Sequence, residues 1–516
     1  MNANATHAAF ATPLPNRVAG FPPRRQQRIA FAMLLLTLAM AALDQTILST
    51  ALPVMARELP SHWPLAWVFS SYLLAATVVI MLYGRLADLL GTRRMMLVAL
   101  GLFLFGSLAC GASRDLQALV LARALQGAGG GGLMTLAMLS VASLFPQEER
   151  PRFQSLLGAA YGVATLFGPL VGGALVEHLT WHWAFWLNVP LATLAWGLLA
   201  ATMPAGRRPG TEGGRIDWPG ALLLAAALTL LLLATQHQRL GLPAFLGLGV
   251  LLAAGAKATG LFLWRQRRAA HPLMPLSLFG RPAYAAVSVV SAASGVALYA
   301  AVALLPQYLQ TGLHLSPTAS AWHLLPLMGG VTCAAIGSGR LLRARRSPAR
   351  LARLACLSML MGFVLLAAGL HWLPGHPLVL SASLLPLGVG LGVVFPIVTV
   401  VAQRVSPAPQ LGIATAVPVM LRSLGGAVGV ALLAALLTSL VEAELHAAAP
   451  AGVARAAVPE HALPAAFAHA LSAALAHGLQ PVFLTAALAV LAAAMATRWL
   501  PHSLAPTALD PRAASR

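Results

Sequence analysis

Charged side chains are scarce in this chain: Asp, Glu, Lys and Arg make up 9% of its 516 residues, against roughly 25% in an average soluble domain. Acids are scarcer still, 13 against 33 Lys+Arg, and Lys257 is the single lysine. That balance excludes an ordinary water-soluble globule. The three cysteines, Cys110, Cys333 and Cys356, lie in apolar runs with no metal or redox spacing, which excludes a disulfide framework and a cysteine metal centre. Clustered metal ligands, a Ser/His/Asp motif in an accessible loop and a polar pore stripe are also missing; their absence argues against a membrane enzyme and a channel. The opening residues are expected to form a cytoplasmic tail and not a cleaved leader. Residues 1–28 are polar, Pro-containing and Arg-bearing and run into an apolar segment too long for a signal-peptide core, so they read as a tail.

What is abundant is apolar: 59% of the residues are hydrophobic and the mean hydropathy is +0.79. The net charge of +20 would suggest nucleic acid, but such a partner needs a solvated basic face that so apolar a chain cannot supply. A lipid bilayer also sorts positive charge, because cytoplasmic loops retain Lys and Arg. With about 20 apolar residues per crossing, the sequence predicts fourteen helices near 29–52, 65–84, 95–112, 117–143, 155–176, 183–203, 217–235, 243–264, 284–306, 318–339, 351–371, 378–402, 410–440 and 478–497. On that reading 26 cations fall on the side of the termini, 4 on the other, and Arg123, Lys257 and Arg422 lie within spans. The asymmetry predicts cytoplasmic termini; the membrane expected for the transporter read below is a bacterial-type inner membrane.

Two halves echo each other. Gly84-Arg85-Leu86-Ala87-Asp88 follows the second helix and Gly339-Arg340-Leu341-Leu342-Arg343 the tenth. The predicted organisation is a tail at 1–28, a six-helix bundle at 29–203, and two additional helices with their loops at 204–283. A second six-helix bundle follows at 284–497, with an outer loop at 441–477, and the chain ends in a cytoplasmic tail at 498–516. Internal repeats of this kind mark transporters that rock about a central site.

Asp44 is the one acid well inside a predicted span. A carboxylate in hydrocarbon is costly and usually faces a functional interior. At 1.5 Å per residue it lies roughly 12 Å from the outer end of its helix, and Arg123 on the fourth helix about 9 Å from the same end. The two can therefore share a depth, which either poises Asp44 for proton exchange or makes a permanent structural ion pair. Arg123 and Gln126 share a helical face, and the glycines from Gly127 to Gly132 permit close helix packing. Gly162 and the run Gly168-Pro169-Leu170-Val171-Gly172-Gly173 give the fifth helix either a bendable surface or a static kink. In the turn Gly84–Arg94, containing Gly91, Arg93 and Arg94, Asp88 is expected to cap the third helix or to pair with an arginine across the halves; a solvated basic loop is the plainer alternative.

The turn Gly84–Arg94, the run Arg123–Gly132 and the helix Gly162–Gly173 resemble the three signature motifs of the major facilitator superfamily, the Gly162–Gly173 motif being characteristic of its exporters. Leu43-Asp44-Gln45-Thr46-Ile47, ending in Ala51-Leu52-Pro53, and Trp181-His182-Trp183-Ala184-Phe185-Trp186-Leu187-Asn188-Val189-Pro190 resemble signatures of the fourteen-helix drug:proton antiporters (the EmrB/QacA type). The resemblance implies an all-α fold of two six-helix bundles plus two central helices, with alternating access and proton-driven export. It also implies Asp44 and Arg123 as coupling residues and Asp88 as part of a cytoplasmic gate. Leu89 and Thr92 depart from the pattern at positions usually basic, so a thinner gate network is expected.

Without a second intramembrane acid, a dicationic substrate is disfavoured; neutral, zwitterionic or anionic lipophiles fit Arg123, Lys257 and Arg422 better. Arg422, opening Arg422-Ser423-Leu424-Gly425-Gly426, lies too deep to snorkel, whereas Lys257 is expected to do so. Gln45, Tyr72, Gln126, Tyr161, Tyr299, Gln307, Trp322 and His323 are candidate cavity residues, since aromatic bodies with polar tips suit apolar ligands; helix packing would account equally for the three tyrosines and Gln307, and His323, which could also relay protons, is more often a hydrogen-bonded packing residue. The sequence thus predicts a proton-coupled efflux transporter of small lipophilic compounds, with no cofactor, no metal and no nucleic-acid partner. A dedicated exporter of one metabolite is the alternative, and a periplasmic adaptor protein is a candidate partner.

Overall fold

The computed structural model describes residues 21–59, 65, 67–204, 216–234, 244–344, 347–448 and 465–502. Most of the two predicted tails, the Arg207–Arg215 loop and the middle of segment 441–477 lie outside that set. Among the described residues the regular structure is helical throughout. The first set comprises α1 (Arg24–Glu58), α2 (Trp67–Leu90), α3 (Thr92–Gly111), α4 (Leu116–Leu144), α5 (Arg150–His178), the short α6 (Trp183–Trp186) and α7 (Asn188–Thr202). Next come α8 (Trp218–Ala234) and α9 (Ala244–Arg268). The last set comprises α10 (Pro282–Gln307), α11 (Pro317–Trp322), α12 (Leu325–Arg343), α13 (Pro348–Trp372), α14 (Pro377–Val405), α15 (Leu411–Ala448) and α16 (Ala465–Ala496). Eleven helical segments among the described residues are long and apolar enough to cross a membrane. The expected fourteen crossings exceed that number; α8 has 17 described residues, and residues 235–243 beyond it are outside the described set.

Helices are the natural answer to these apolar runs, because a bilayer offers backbone groups no other partner. Their starts follow local rules: Asp115 caps α4 through Ala118 N at 2.8 Å, Ser316 caps α11 through Ala319 N at 3.1 Å, and proline opens α10, α11, α13 and α14. Two predicted spans are broken. The sixth divides at Leu187 and the tenth at His323–Leu324. Each break lies just after a tryptophan, Trp186 or Trp322, that stands four residues before a proline, Pro190 or Pro326, and proline has no N–H for that residue's carbonyl.

Several helices outrun their predicted ends. α1 begins at Arg24 and continues to Glu58, α15 reaches Ala448, and α16 starts at Ala465. The expected loop at 441–477 is therefore helical at both described margins, and Glu444 of α15 meets His477 of α16 at 2.7 Å. Hydropathy measures the bilayer, whereas Ala-rich and Arg/Gln-rich stretches keep helical propensity beyond it.

In the first set α1 packs on α5 and α7, α2 on α4, and α3 on α4 and α7. In the last set α10 packs on α14, α15 and α16, α12 on α14, and α13 on α14 and α16. The sets meet where α5 lies against α12 and α14, and where α15 lies against α2 and α4. α8 and α9 form a pair outside the α2–α15 seam. Large apolar side chains face outward, among them Leu121, Leu222 and Leu378, as expected of a surface whose solvent is lipid.

Candidate functional site

Asp44 sits in α1 with 3% of its surface exposed, and Arg123 in α4 is fully buried. Arg123 Nη1 donates to Asp44 Oδ2 at 2.7 Å and to Gln126 Oε1 at 2.6 Å, and its Nε donates to the Val68 carbonyl of α2 at 3.2 Å. Asp44 Oδ1 accepts from Gln126 Nε2 at 2.7 Å and from Asn188 Nδ2 at 2.9 Å. Gln126 Nε2 also donates to Ser107 Oγ of α3 at 2.8 Å. Five helices thus converge on one carboxylate–guanidinium pair, and the Tyr72 ring lies 4.3 Å from the guanidinium carbon. A buried ion pair needs this kind of support, because its mutual attraction alone barely offsets the loss of water.

The glycines after Arg123 hold the pair in place. A methyl on Gly127 would stand 2.4 Å from the Tyr72 carbonyl, one on Gly131 2.2 Å from that of Ala76, and one on Gly129 2.3 Å from Phe103 N. Gly127 and Gly131, one turn apart, let α4 touch the backbone of α2, while Gly129 does the same against α3.

Between the two sets of helices lies a cavity of about 890 Å³, at the upper end of small-molecule sites, which run from about 300 to 1,000 Å³. Gln45, Tyr72, Tyr161, Tyr299, Trp322, Arg123 and Arg422 line it. Asp44 does not; it is held behind Arg123 and Gln45. The remaining cavity candidates depart from expectation. Gln126 is turned into the ion-pair network. His323 is engaged with α14, its Nδ1 2.6 Å from Ser381 Oγ, because the Pro326 break ends α11 beside that helix. Gln307 is exposed at the end of α10, and Gln310, in the following π-helical turn, lines the cavity instead. Lys257 is exposed on α9, away from the cavity, because α9 packs on α8.

One end of the cavity, the end where α1 begins, is closed by contacts between the sets. A methyl on Gly412 would stand 2.1 Å from the Gly84 carbonyl, and one on Gly339 2.1 Å from Ser155 Oγ. Asp88 takes neither expected role. Its Oδ1 accepts from Gly412 N at 2.6 Å and its Oδ2 from Ile413 N at 3.0 Å, so it caps α15 across the interface. A helix N-terminus offers free N–H groups and a partial positive charge, and Asp88 is a carboxylate that reaches them. α3 starts instead at Gly91, whose φ of 91° suits glycine. Arg93 also stays within its own set and donates to the Ala200 carbonyl of α7. At the other end, Phe69, Gln310 and Trp322 carry the cavity lining outward.

The α5 motif divides by neighbour. Gly162 faces α12, where a methyl would stand 2.8 Å from Thr332 Oγ1, and Gly168 faces α1, where one would stand 1.7 Å from Thr46 Oγ1. Gly172 is buried, whereas a methyl on Gly173 would meet nothing within 4 Å, so close packing does not require that glycine. The Pro169 side chain lies outside the described set.

Sequence reasoning passed over Asn188 and Ser107 as site residues. Asn188 was visible as a polar residue in an apolar span, one position past the Leu187 break that delivers it to Asp44. Ser107 offers no such signal, since serines recur throughout the helices.

Residues 34–430 match the family model described as "Major Facilitator Superfamily". An MFS-type transporter of Mycobacterium tuberculosis is 36% identical over 448 residues, 86% of this chain and 63% of that protein, so the chain spans less than two thirds of this relative. A multidrug transporter protein of Bacillus subtilis, MdtP, is 28% identical over 416 residues, 79% of this chain and 74% of that one. The solved structure of the proton:xylose symporter XylE superposes with a TM-score of 0.62 at 14% identity, covering 90% of this chain and 95% of that one. A family match that runs from α1 into α15 decides the matter: the chain belongs to the Major Facilitator Superfamily, a family of membrane transporters and not of enzymes.

Proposed function

We propose that the protein is a proton-coupled exporter of small lipophilic compounds, of the fourteen-helix drug:proton antiporter type, working by alternating access. In this reading 29–203 and 284–497 are the rocking bundles, 204–283 contributes two further crossings, and both termini are cytoplasmic in an inner membrane. The observation that carries it is the Asp44–Arg123 pair, buried in the wall of a large, mostly apolar cavity. The similarity to a multidrug transporter supports a range of small substrates.

The contacts at Gly84–Gly412 and Ser155–Gly339 close the end where α1 begins, which makes this conformation outward-facing under the proposed orientation. A proton arriving from outside neutralises Asp44 and removes the charge that holds Arg123 Nη1. Arg123, which lines the cavity, then repositions and substrate leaves. After the bundles rock, Asp44 returns its proton to the cytoplasm and substrate enters near the midplane. Gln126 and Asn188 donate to Asp44 Oδ1 and keep the carboxylate oriented through the cycle.

Efflux of a fluorescent dye from proteoliposomes, driven by an imposed pH gradient, tests this. The Asp44→Asn protein is expected to lose gradient-driven efflux, and an uncoupler to abolish it in the parent. Coupled efflux by the variant at the parent rate would overturn the assignment.

A further inference from the structure

Arg422 is a cation in the wall of the cavity with no anion among the described residues to match it. Among the described residues lining the cavity, Arg123 and Arg422 carry the charges, and no Asp or Glu is present. Arg123 is neutralised by Asp44 at 2.7 Å. Arg422 makes no ion pair among the described residues. Its contacts are the Phe395 ring, 4.2 Å from the guanidinium carbon, and Met134 Sδ, 2.9 Å from Nη2. Tyr161 and Tyr299 lie within electrostatic range.

None of these partners matches a guanidinium. A ring face contributes about 0.5–2 kcal/mol, a thioether is a weak acceptor, and five N–H donors are on offer. Nor can the charge reach water along its own helix. Arg422 lies eleven residues after Leu411, the start of α15, which is about 17 Å at 1.5 Å per residue. Two planar oxygens of a carboxylate or a comparable oxyanion would satisfy the guanidinium fork in a bidentate pair. Phe395, Tyr161 and Tyr299 line the same cavity and offer ring faces to an apolar body.

We propose that the substrate is a lipophilic organic anion, an apolar body bearing one oxyanion group, and that Arg422 is its counter-ion and the determinant of charge selectivity. This rests on the export reading above and adds the substrate class to it. Pairing makes the loaded cavity neutral around Arg422, whereas a cationic lipophile of the same shape meets an uncompensated positive charge.

The test uses the full chain in lipid nanodiscs and three matched probes with one apolar body: dansyl-aminoundecanoic acid, its primary amide, and the corresponding amine. Fluorescence titration is expected to rank the acid at least about 10-fold above the amide and the amine weakest. In Arg422→Gln the acid falls by about 10-fold to 100-fold to meet the amide, whose own affinity moves far less and so reports an intact cavity; Arg422→Lys retains part of the preference. Equal affinities for acid and amide in the parent, an undiminished preference in Arg422→Gln, or no binding of the acid overturns the proposal. Gradient-driven efflux of the amide is followed in parallel. Amide efflux without acid preference sinks the anion proposal alone, and acid preference without efflux of any probe sinks the export reading alone.

Discussion

Asp44 is met by three donors from two helices, and that surplus makes the pair rigid. Arg123 Nη1 occupies Oδ2, while Gln126 and Asn188 share Oδ1. Removing one member of a buried pair leaves the other charge unmatched, at a cost of about 3–5 kcal/mol. Arg123→Gln is therefore expected to lower the thermal midpoint of the purified protein sharply, and Asp44→Asn to do so as well. The double variant should recover part of the loss, because neither charge is then orphaned. Strictly additive losses would show that the pair is not energetically coupled. Asp44 and Arg123 were visible in the sequence, as an acid and a base in apolar runs at matching depth. The Gln126 and Asn188 contacts were not, since a hydrogen-bond direction is set by the facing helix.

The α2–α15 seam sets glycine on one side against backbone on the other, so its tolerance for added bulk is small. At the α2–α15 crossing, a side chain on Gly412 would overlap the Gly84 carbonyl, which lies 2.1 Å from the added carbon. Gly412→Val is expected to pry the two helices apart and depopulate the closed state at that end. Spin-label distances between the ends of α2 and α15 should lengthen, and transport should fall by over about tenfold; unchanged distances would overturn this account of the seam. Asp88→Ala acts on the same joint by removing the cap from α15, with an expected loss of about 0.5–2 kcal/mol. The apolar segments themselves were legible from hydropathy. Their ends were not: α15 and α16 continue as helix through Ala-rich sequence, and the breaks at Leu187 and His323 follow from proline chemistry that a hydropathy window averages away.

Across the whole molecule, the two sets of helices close one end of the cavity and leave its lining running toward the other. If transport requires that end to open, tying it shut must stop the cycle. A methyl carbon on Gly339 would stand 2.7 Å from Ser155 Cβ, so a slight separation reaches the roughly 3.8 Å of a disulfide. Ser155→Cys/Gly339→Cys is expected to lose gradient-driven efflux on oxidation and to regain it with a reductant. Full activity in the oxidised protein would exclude rocking at this interface. The sequence by itself determined that the chain is a helical membrane protein and that Asp44 and Arg123 are exceptional within it, because bilayer solvation makes length, apolarity and misplaced charge readable one residue at a time. It also carried the family resemblance, in motifs that lie in order along the chain. Only the tertiary structure decided that Asp44 is hidden behind Arg123, that Asp88 caps a helix of the other set, that Lys257 is turned away from the cavity, and that Arg422 faces it with no ion-pair partner among the described residues. Each of those depends on which helix lies opposite, and long-range packing leaves no periodic trace in a single sequence.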